Sequence, residues 1–530
     1  MKPNLSLPFI AAGAITLLLG SCTKDLNRQP IVQTTSKVVY STPAGVKEAL
    51  AKLYAGLTLS GQDVASYPDI NTSDVGSNVF LRNFWETEEL PTDEAVIGWN
   101  DHDLQNYHSM DWTANGYFDQ LMYDRIFFET AACNEFLRET ASLGSGFSST
   151  DKTNVAEYRA EARYLRAFAY WTALDLFGNV PFTTEKDPVG DFFPVQISRT
   201  SLFNFVDSEL LSIQSILPPP GQNEYGRADQ GADWALLARL YLNATVYTGV
   251  DHYSDCITYC NKIISSGAYQ LATNYSQLFE TDNAATHEII FALRANGKAS
   301  QSYGNTTFLV HAEIGGNMDP TQFGIAAGGG WGGIRTTSAF VNLFPDPSGN
   351  TDHRAMFYTN GQTKQISTIG NFGDGYAITK WKNVSSTGQP GSDPTHEFVD
   401  TDFPLFRLGE IYLDYAESVL RGGTGGDLGT ALQYVNLVRE RAYGGPAGDI
   451  TAGQLNLGFI LDERGRELYW EAVRRTDLVR FNEFTTGTYL WPYKGGVEGG
   501  TAVDAHLNLY PISATDMLVN PNLKQNPGYN

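Results

Sequence analysis

Residues 461–481 read LDERGRELYWEAVRRTDLVRF. Ile460, Leu461, Leu468 and Ala472 recur near the helical period, so one side of this stretch can pack. Glu463, Glu467, Glu471 and Arg475 follow at four-residue steps on another side, and Arg464, Arg466, Arg474 and Asp477 are close enough to pair with them. An exposed i,i+4 pair adds only about 0.2–0.5 kcal/mol to a helix. A ladder this dense therefore predicts one helix held in a polar interface, not a solvated face. Crowded carboxylates can also serve as general acid and base. Here each acid has an arginine within helical reach, and such pairing keeps a carboxylate ionised. The spacing predicts a charged structural helix.

At 530 residues the chain exceeds the usual size of one core. Helical and irregular stretches nevertheless alternate throughout, which predicts one domain over 42–530. The formal charge of −23 argues against nucleic acid and against anionic lipid, both of which would be repelled. Lys2 precedes an apolar run from Leu5 to Leu19, too short to cross a bilayer but suited to a signal peptide. The run ends in Leu19-Gly20-Ser21-Cys22, similar to a bacterial lipobox. The expectation is a signal peptide over 1–21, lipidation of Cys22 and a polar tether over 22–41, so that the protein is anchored rather than embedded. Cys256 and Cys260 stand four apart in a helical pattern with no second cysteine or histidine cluster. They and Cys133 are expected as buried free thiols, with no metal and no cofactor.

Periodicity predicts helices over Pro43–Leu57 (capped by Thr42), Tyr117–Thr140, Val155–Phe177, Ser201–Leu217, within 226–249, and over Ser254–Ser266, Leu405–Leu420 and Leu428–Ala442. Gly178 and Val180-Pro181 close the third of these. Ile289–Leu293 reads as a short buried strand. Residues 69–108 and 295–400 read as long irregular loops. The fold class is mainly α, with helix pairs on short connectors and a few short strands; no clean repeat is visible.

Gly328–Gly333 places five glycines around Trp331 but lacks the Lys-Ser/Thr of a phosphate loop. Neighbours without side chains cannot enclose an indole, so Trp331 is expected to project toward a ligand. Sugars suit such a platform: their C–H faces stack on the ring, and their hydroxyls take charge-assisted bonds at its edge.

Glu463-Arg464, Glu467-Leu468, Glu471, Arg474, Asp477-Leu478 and Arg480 resemble the C-terminal signature of the SusD/RagB family, outer-membrane nutrient-binding lipoproteins. EARYLRAFAYWTALDLFGNVPF, at 161–182, resembles a second signature, and the last segment from Leu509 resembles the family's closing one. Ala472 stands where that family has glycine, a mild change inside a helix. The resemblance implies a tetratricopeptide-like scaffold at the cell surface that binds a nutrient polymer beside a SusC-like TonB-dependent transporter. DINTSDVGSNVFLR, ELPTDEAVIGW, QSYGNTTFLV and GGWGGIRTTSAF are similar to the starch-binding branch. Carried over, Asp74 and Arg82 match the acid and guanidinium that bond glucose hydroxyls, and Tyr303 and Trp331 match two of three rings in an aromatic arc. Ile97 occupies the third ring's place and His102 that of an amide contact. Trp99, two residues on from Ile97, is expected to point elsewhere. Asp282-Asn283 lies where some relatives hold calcium, but the acidic run is short and no metal is assigned. Within the family the rival reading is RagB-like peptide uptake. Outside it, a glycoside hydrolase needs two carboxylates about one bond. Asp74 is the one acid expected near the arc, so no catalytic residues and no enzyme are expected.

Overall fold

A computed structural model describes residues 36–64 and 67–529. Cys22, the signal peptide and most of the tether lie outside them. The expected tether already turns helical at Ser36–Val39. Twelve helices frame the site: α1 (Pro43–Ala55), α2 (Phe80–Glu89), α3 (Tyr117–Glu139), α4 (Ser149–Leu176), α5 (Arg199–Ile213), α6 (Gln230–Leu242), α7 (Tyr253–Ser266), α8 (Thr306–Ala312), α9 (Leu408–Leu420), α10 (Leu428–Tyr443), α11 (Leu457–Leu468) and α12 (Arg474–Arg480). Sequence neighbours pack on one another, α3 on α4, α4 on α5 and α6 on α7. α7 then packs on α9, and α9 on α10, which continues the stack.

The caps explain why the helices start where they do. Thr42 accepts from the N–H of Gly45 at the head of α1, and Ser148 and Asp151 form a reciprocal capping box on α4. Cys133, Cys256 and Cys260 are buried free thiols. No described helix is long and apolar enough to cross a membrane. Among the described residues the sheets are two-stranded and antiparallel: β1 (Val96–Ile97) pairs with β3 (Ile334–Arg335), and β2 (Ile289–Leu293) with β4 (Phe403–Arg407). β4 takes the start of the helix expected from Leu405. All five of its residues are buried, and a continuous apolar run does not distinguish strand from helix.

The motif at 461–481 departs from the single helix its periodicity predicts. α11 ends at Leu468, Trp470 and Ala472 adopt φ +60° and +59°, and α12 begins at Arg474. Ala472 is thus at a left-handed turn, not inside a helix. A Cβ there costs roughly 1–2 kcal/mol, which glycine avoids. The pairing is also long-range rather than a ladder within the motif. Glu463 accepts from Arg354 (2.7 Å) and Arg439 (2.7 Å), Glu471 from Lys380 (2.8 Å) and Arg407 (2.6 Å), and Asp477 from Arg464 (2.7 Å). Glu467 meets Arg354, Arg407 and Arg441, and Arg475 meets Asp175 (2.7 Å) and Glu88 (3.2 Å). Only Arg466–Glu463 and Arg480–Asp477 pair locally at i,i+3. Because partners come from distant segments, burial is nearly complete on every side.

α2 holds the turn between α11 and α12. Glu89 accepts from the N–H groups of Ala472 (2.6 Å) and Val473 (3.3 Å), and Glu88 from that of Thr476 (3.0 Å). Carboxylates there satisfy the free donors and the positive end of α12. Glu94 accepts from Trp470 N–H (3.0 Å), and Trp85 donates to the Trp470 carbonyl (3.2 Å). Burial pushes the Glu89 carboxyl up to about 7, and burial together with Glu89 pushes Glu94 up. α2 falls inside the stretch expected to be irregular. Phe80, Leu81, Phe84 and Trp85 do step at the helical period, but over only ten residues, and the opposite face of Arg82, Asn83, Glu86 and Glu89 is buried as well.

Candidate functional site

The same short helix reaches the candidate site. One turn before Glu86, Arg82 of α2 donates through Nη1 to Asp74 Oδ2 (3.0 Å) and through Nε to Glu86 Oε1 (2.9 Å). Its guanidinium lies 4.8 Å from the Phe308 ring of α8 and 5.9 Å from Trp99. Arg82 is 4 % exposed while the Asp74 side chain is 53 % exposed. This differs from a surface ion pair, which contributes about 0–1 kcal/mol and holds nothing in place. A buried cation, fixed from below, presents a half-open carboxylate to solvent. Burial raises the Glu86 carboxyl, and Arg82 opposes that rise.

The loop carrying Asp74 is tied back on itself, since the hydroxyls of Thr72 and Ser77 both donate to the Asp74 carbonyl (2.7 and 2.8 Å). It also lies directly on Tyr303. Gly76 sits at φ +95°, and a Cβ there would fall 2.7 Å from the Tyr303 carbonyl carbon. Glycine is what allows this approach.

Three rings form the floor of an open cavity of about 590 Å³. Trp99 and Trp331 have centroids 6.2 Å apart with planes tilted by 50°, and Trp331 and Tyr303 are 6.1 Å apart at 48°. Trp331 is not a free projection. His311 stacks beneath it at 4.6 Å, the Trp331 N–H donates to the His311 carbonyl (2.8 Å), and Trp99 Nε1 donates to the Trp331 carbonyl (3.3 Å). Both His311 ring nitrogens face backbone carbonyls, of Gly329 and Glu397, so the supporting ring is fixed as well. On the far side Tyr303 leans on Phe398 at 4.9 Å.

Asp74, Arg82, Tyr303, Trp331 and His102 thus converge on one cavity. His102, at φ +46°, stacks on Tyr117 (4.1 Å) with Nε2 3.1 Å from Ser73 Oγ. Ile97 does not face it: the residue is fully buried in β1 opposite Ile334. Trp99 supplies the third ring, against the expectation that it points elsewhere. Strict alternation would place it on the buried side with Ile97, but β1 is only two residues long and Gly98 already leaves it to donate to the Gly333 carbonyl (2.8 Å). Gly333 in turn makes room for that indole, because a Cβ there would fall 2.4 Å from it. Asp101 and Phe118 also line the cavity, so Asp74 is not its only acid. The sequence cue for both Trp99 and Asp101 is the run Gly98-Trp99-Asn100-Asp101, whose glycine ends the strand. Asp282 instead accepts from the N–H and hydroxyl of Ser386 (2.9 and 2.6 Å).

Fold and site together define a helix-pair scaffold whose long loops build an open, aromatic-floored ligand cleft. A profile described as SusD family matches residues 346–529. Over 581 aligned residues the chain is 35% identical to the starch-binding protein SusD of Bacteroides thetaiotaomicron, covering 100% of both chains. The chain belongs to the SusD family. Among solved structures, surface glycan-binding protein A from Bacteroides fluxus superposes with a TM-score of 0.70 at 21% identity, covering 92% of this chain and 100% of that one. Surface glycan-binding protein A from Bacteroides thetaiotaomicron, in complex with laminarihexaose, gives 0.68 at 20% identity, covering 91% and 98%.

Proposed function

We propose that the chain captures a polysaccharide or oligosaccharide, in the first place a starch-like α-glucan, at the Trp99–Trp331–Tyr303 floor. One observation carries this reading: three rings, each tilted about 50° from the next, beside the half-exposed Asp74 carboxylate. A glucan whose successive residues turn can lay one sugar face on each ring, whereas a flat ribbon contacts one ring and lifts from the next. Asp74 accepts from sugar hydroxyls while the buried guanidinium of Arg82 holds it in position (3.0 Å). The likeness to a starch-binding protein over the whole chain supports the same ligand class.

The reading extends to location. Cleavage after Ser21 leaves Cys22 as a lipidated N-terminus, residues 22–41 tether the helical domain 42–530 to the outer membrane, and the captured glycan passes to a SusC-like TonB-dependent transporter. The role is binding, not catalysis. Release of reducing sugar from a glucan would overturn this part. Trp331→Ala should abolish retention on an amylopectin affinity gel while the melting temperature stays near that of the parent. Unchanged migration would remove Trp331 from the site, and calorimetry with peptides against malto-oligosaccharides separates this reading from peptide uptake.

A further inference from the structure

A second cavity, of about 270 Å³, opens between α1, the turn at 224–227 and the end of β2. Its walls are apolar: Leu50, Ala51 and Ala55 of α1 face Ala292 and Leu293 of β2. One wall is rigid. Arg227 Nε donates to Glu161 Oε2 (3.0 Å), Tyr54 OH donates to the same oxygen (2.6 Å), and Tyr54 OH accepts from Ala228 N–H (2.9 Å). The carboxylate at the rim is also engaged, since Glu224 meets Lys47 at 3.3 Å and Arg227 at 3.4 Å.

Arg294 is the exception. It is exposed, and its guanidinium lies over the Tyr225 ring at 5.6 Å. Among the described residues no hydrogen bond or ion pair reaches it. The other two cations of the lining are answered by carboxylates, Lys47 by Glu224 and Arg227 by Glu161 and Glu224. Asp402 lies near enough to Arg294 to feel its charge but makes no ion pair with it. A guanidinium with all its donors open, held in place by an aromatic face, is suited to bidentate capture of a carboxylate. The leucine and alanine of the walls suit a hydrocarbon body.

We propose that this cavity is a binding site for a small amphipathic carboxylate, its apolar body between α1 and β2 and its anionic end on Arg294. The site is separate from the aromatic cleft and does not depend on what that cleft binds.

Octanoate titrated into the full chain by calorimetry tests it, with 1-octanol as the uncharged control. Saturable one-to-one binding of octanoate is expected, weakened at least tenfold by Arg294→Met and by the cavity-filling Ala55→Leu. Octanol should bind at least tenfold more weakly than octanoate, and Trp331→Ala should leave octanoate binding unchanged. Absence of saturable binding, equal affinity for octanol, or indifference to both Arg294→Met and Ala55→Leu would overturn the proposal. Retention of Arg294→Met on amylopectin, measured alongside, reports on the aromatic cleft separately.

Discussion

Trp99→Ala is the sharpest test of the aromatic floor, because alignment by order of residues places Ile97, not Trp99, at the third ring. Trp99 stands 6.2 Å from Trp331 and 5.9 Å from the Arg82 guanidinium, so it borders both the stacking surface and the polar pair. Truncating an aromatic anchor in a binding site typically costs about 2 kcal/mol or more. At about 1.4 kcal/mol per factor of ten, that is roughly a thirty-fold loss of affinity for maltoheptaose. The same change deletes the Nε1–H donated to the Trp331 carbonyl (3.3 Å), a bond worth about 0.5–1.5 kcal/mol to the fold. Trp99→Phe separates the two effects, since it keeps a ring over the cavity and loses only the donor. Calorimetry with maltoheptaose, beside a thermal melt of each variant, should show Phe retaining most of the affinity that Ala loses. If Trp99→Ala binds within about twofold of the parent, a difference near 0.4 kcal/mol, with an undisturbed melt, the three-ring floor is wrong.

The converse change, Ile97→Trp, should not improve glucan binding. Ile97 is fully buried, so the larger side chain overpacks the core by about 1–3 kcal/mol and appears as a lower denaturation midpoint. Glu467→Gln leaves Arg354, Arg407 and Arg441 short of a buried charge. Breaking such a network costs about 3–5 kcal/mol in chemical denaturation, and a loss below about 1 kcal/mol, the size of a surface pair, would contradict it. Stability should also depend on pH from both sides. Burial opposes ionisation of Glu467, but Arg441, Arg407 and Arg354 outweigh it and hold the carboxyl at about 2, against an ordinary value of 4.5; its stabilising contribution is present above 4.5 and lost as pH falls toward 2. Burial raises Glu89 from 4.5 to about 7, so the folded state keeps a proton the unfolded state releases, and stability declines as pH rises across that window. Glu88, Asp119 and Glu129 are raised to about 8 by burial and add to the same decline, so melting temperatures of Glu89→Gln across the window should show a shallower slope than the parent's; an equal slope would remove Glu89 from it.

The order of residues pointed to the helix pairs, the family signature and five of the cavity's residues, Asp74, Arg82, His102, Tyr303 and Trp331. For the helices and Trp331 the signals are local: a capping threonine at 42, a three-to-four-residue apolar step through α4, a tryptophan set among glycines; the other four residues came through the family resemblance. Tertiary structure decided what local signals do not carry. α2 is short and buries its polar face as well as its apolar one, and only its tertiary partners reveal that it joins the site at Arg82 to the motif turn at Glu89. The acids and arginines of 461–481 resemble a helical ladder only in one dimension. In the folded chain most of them find partners in distant segments, and the helix is interrupted at Trp470 and Ala472. Trp99 faces the cavity rather than the core because its strand ends after two residues, where Gly98 pairs with Gly333 across 235 positions of chain (333 − 98). Side-chain alternation holds only while strand pairing continues, and where pairing stops is set by the partner strand.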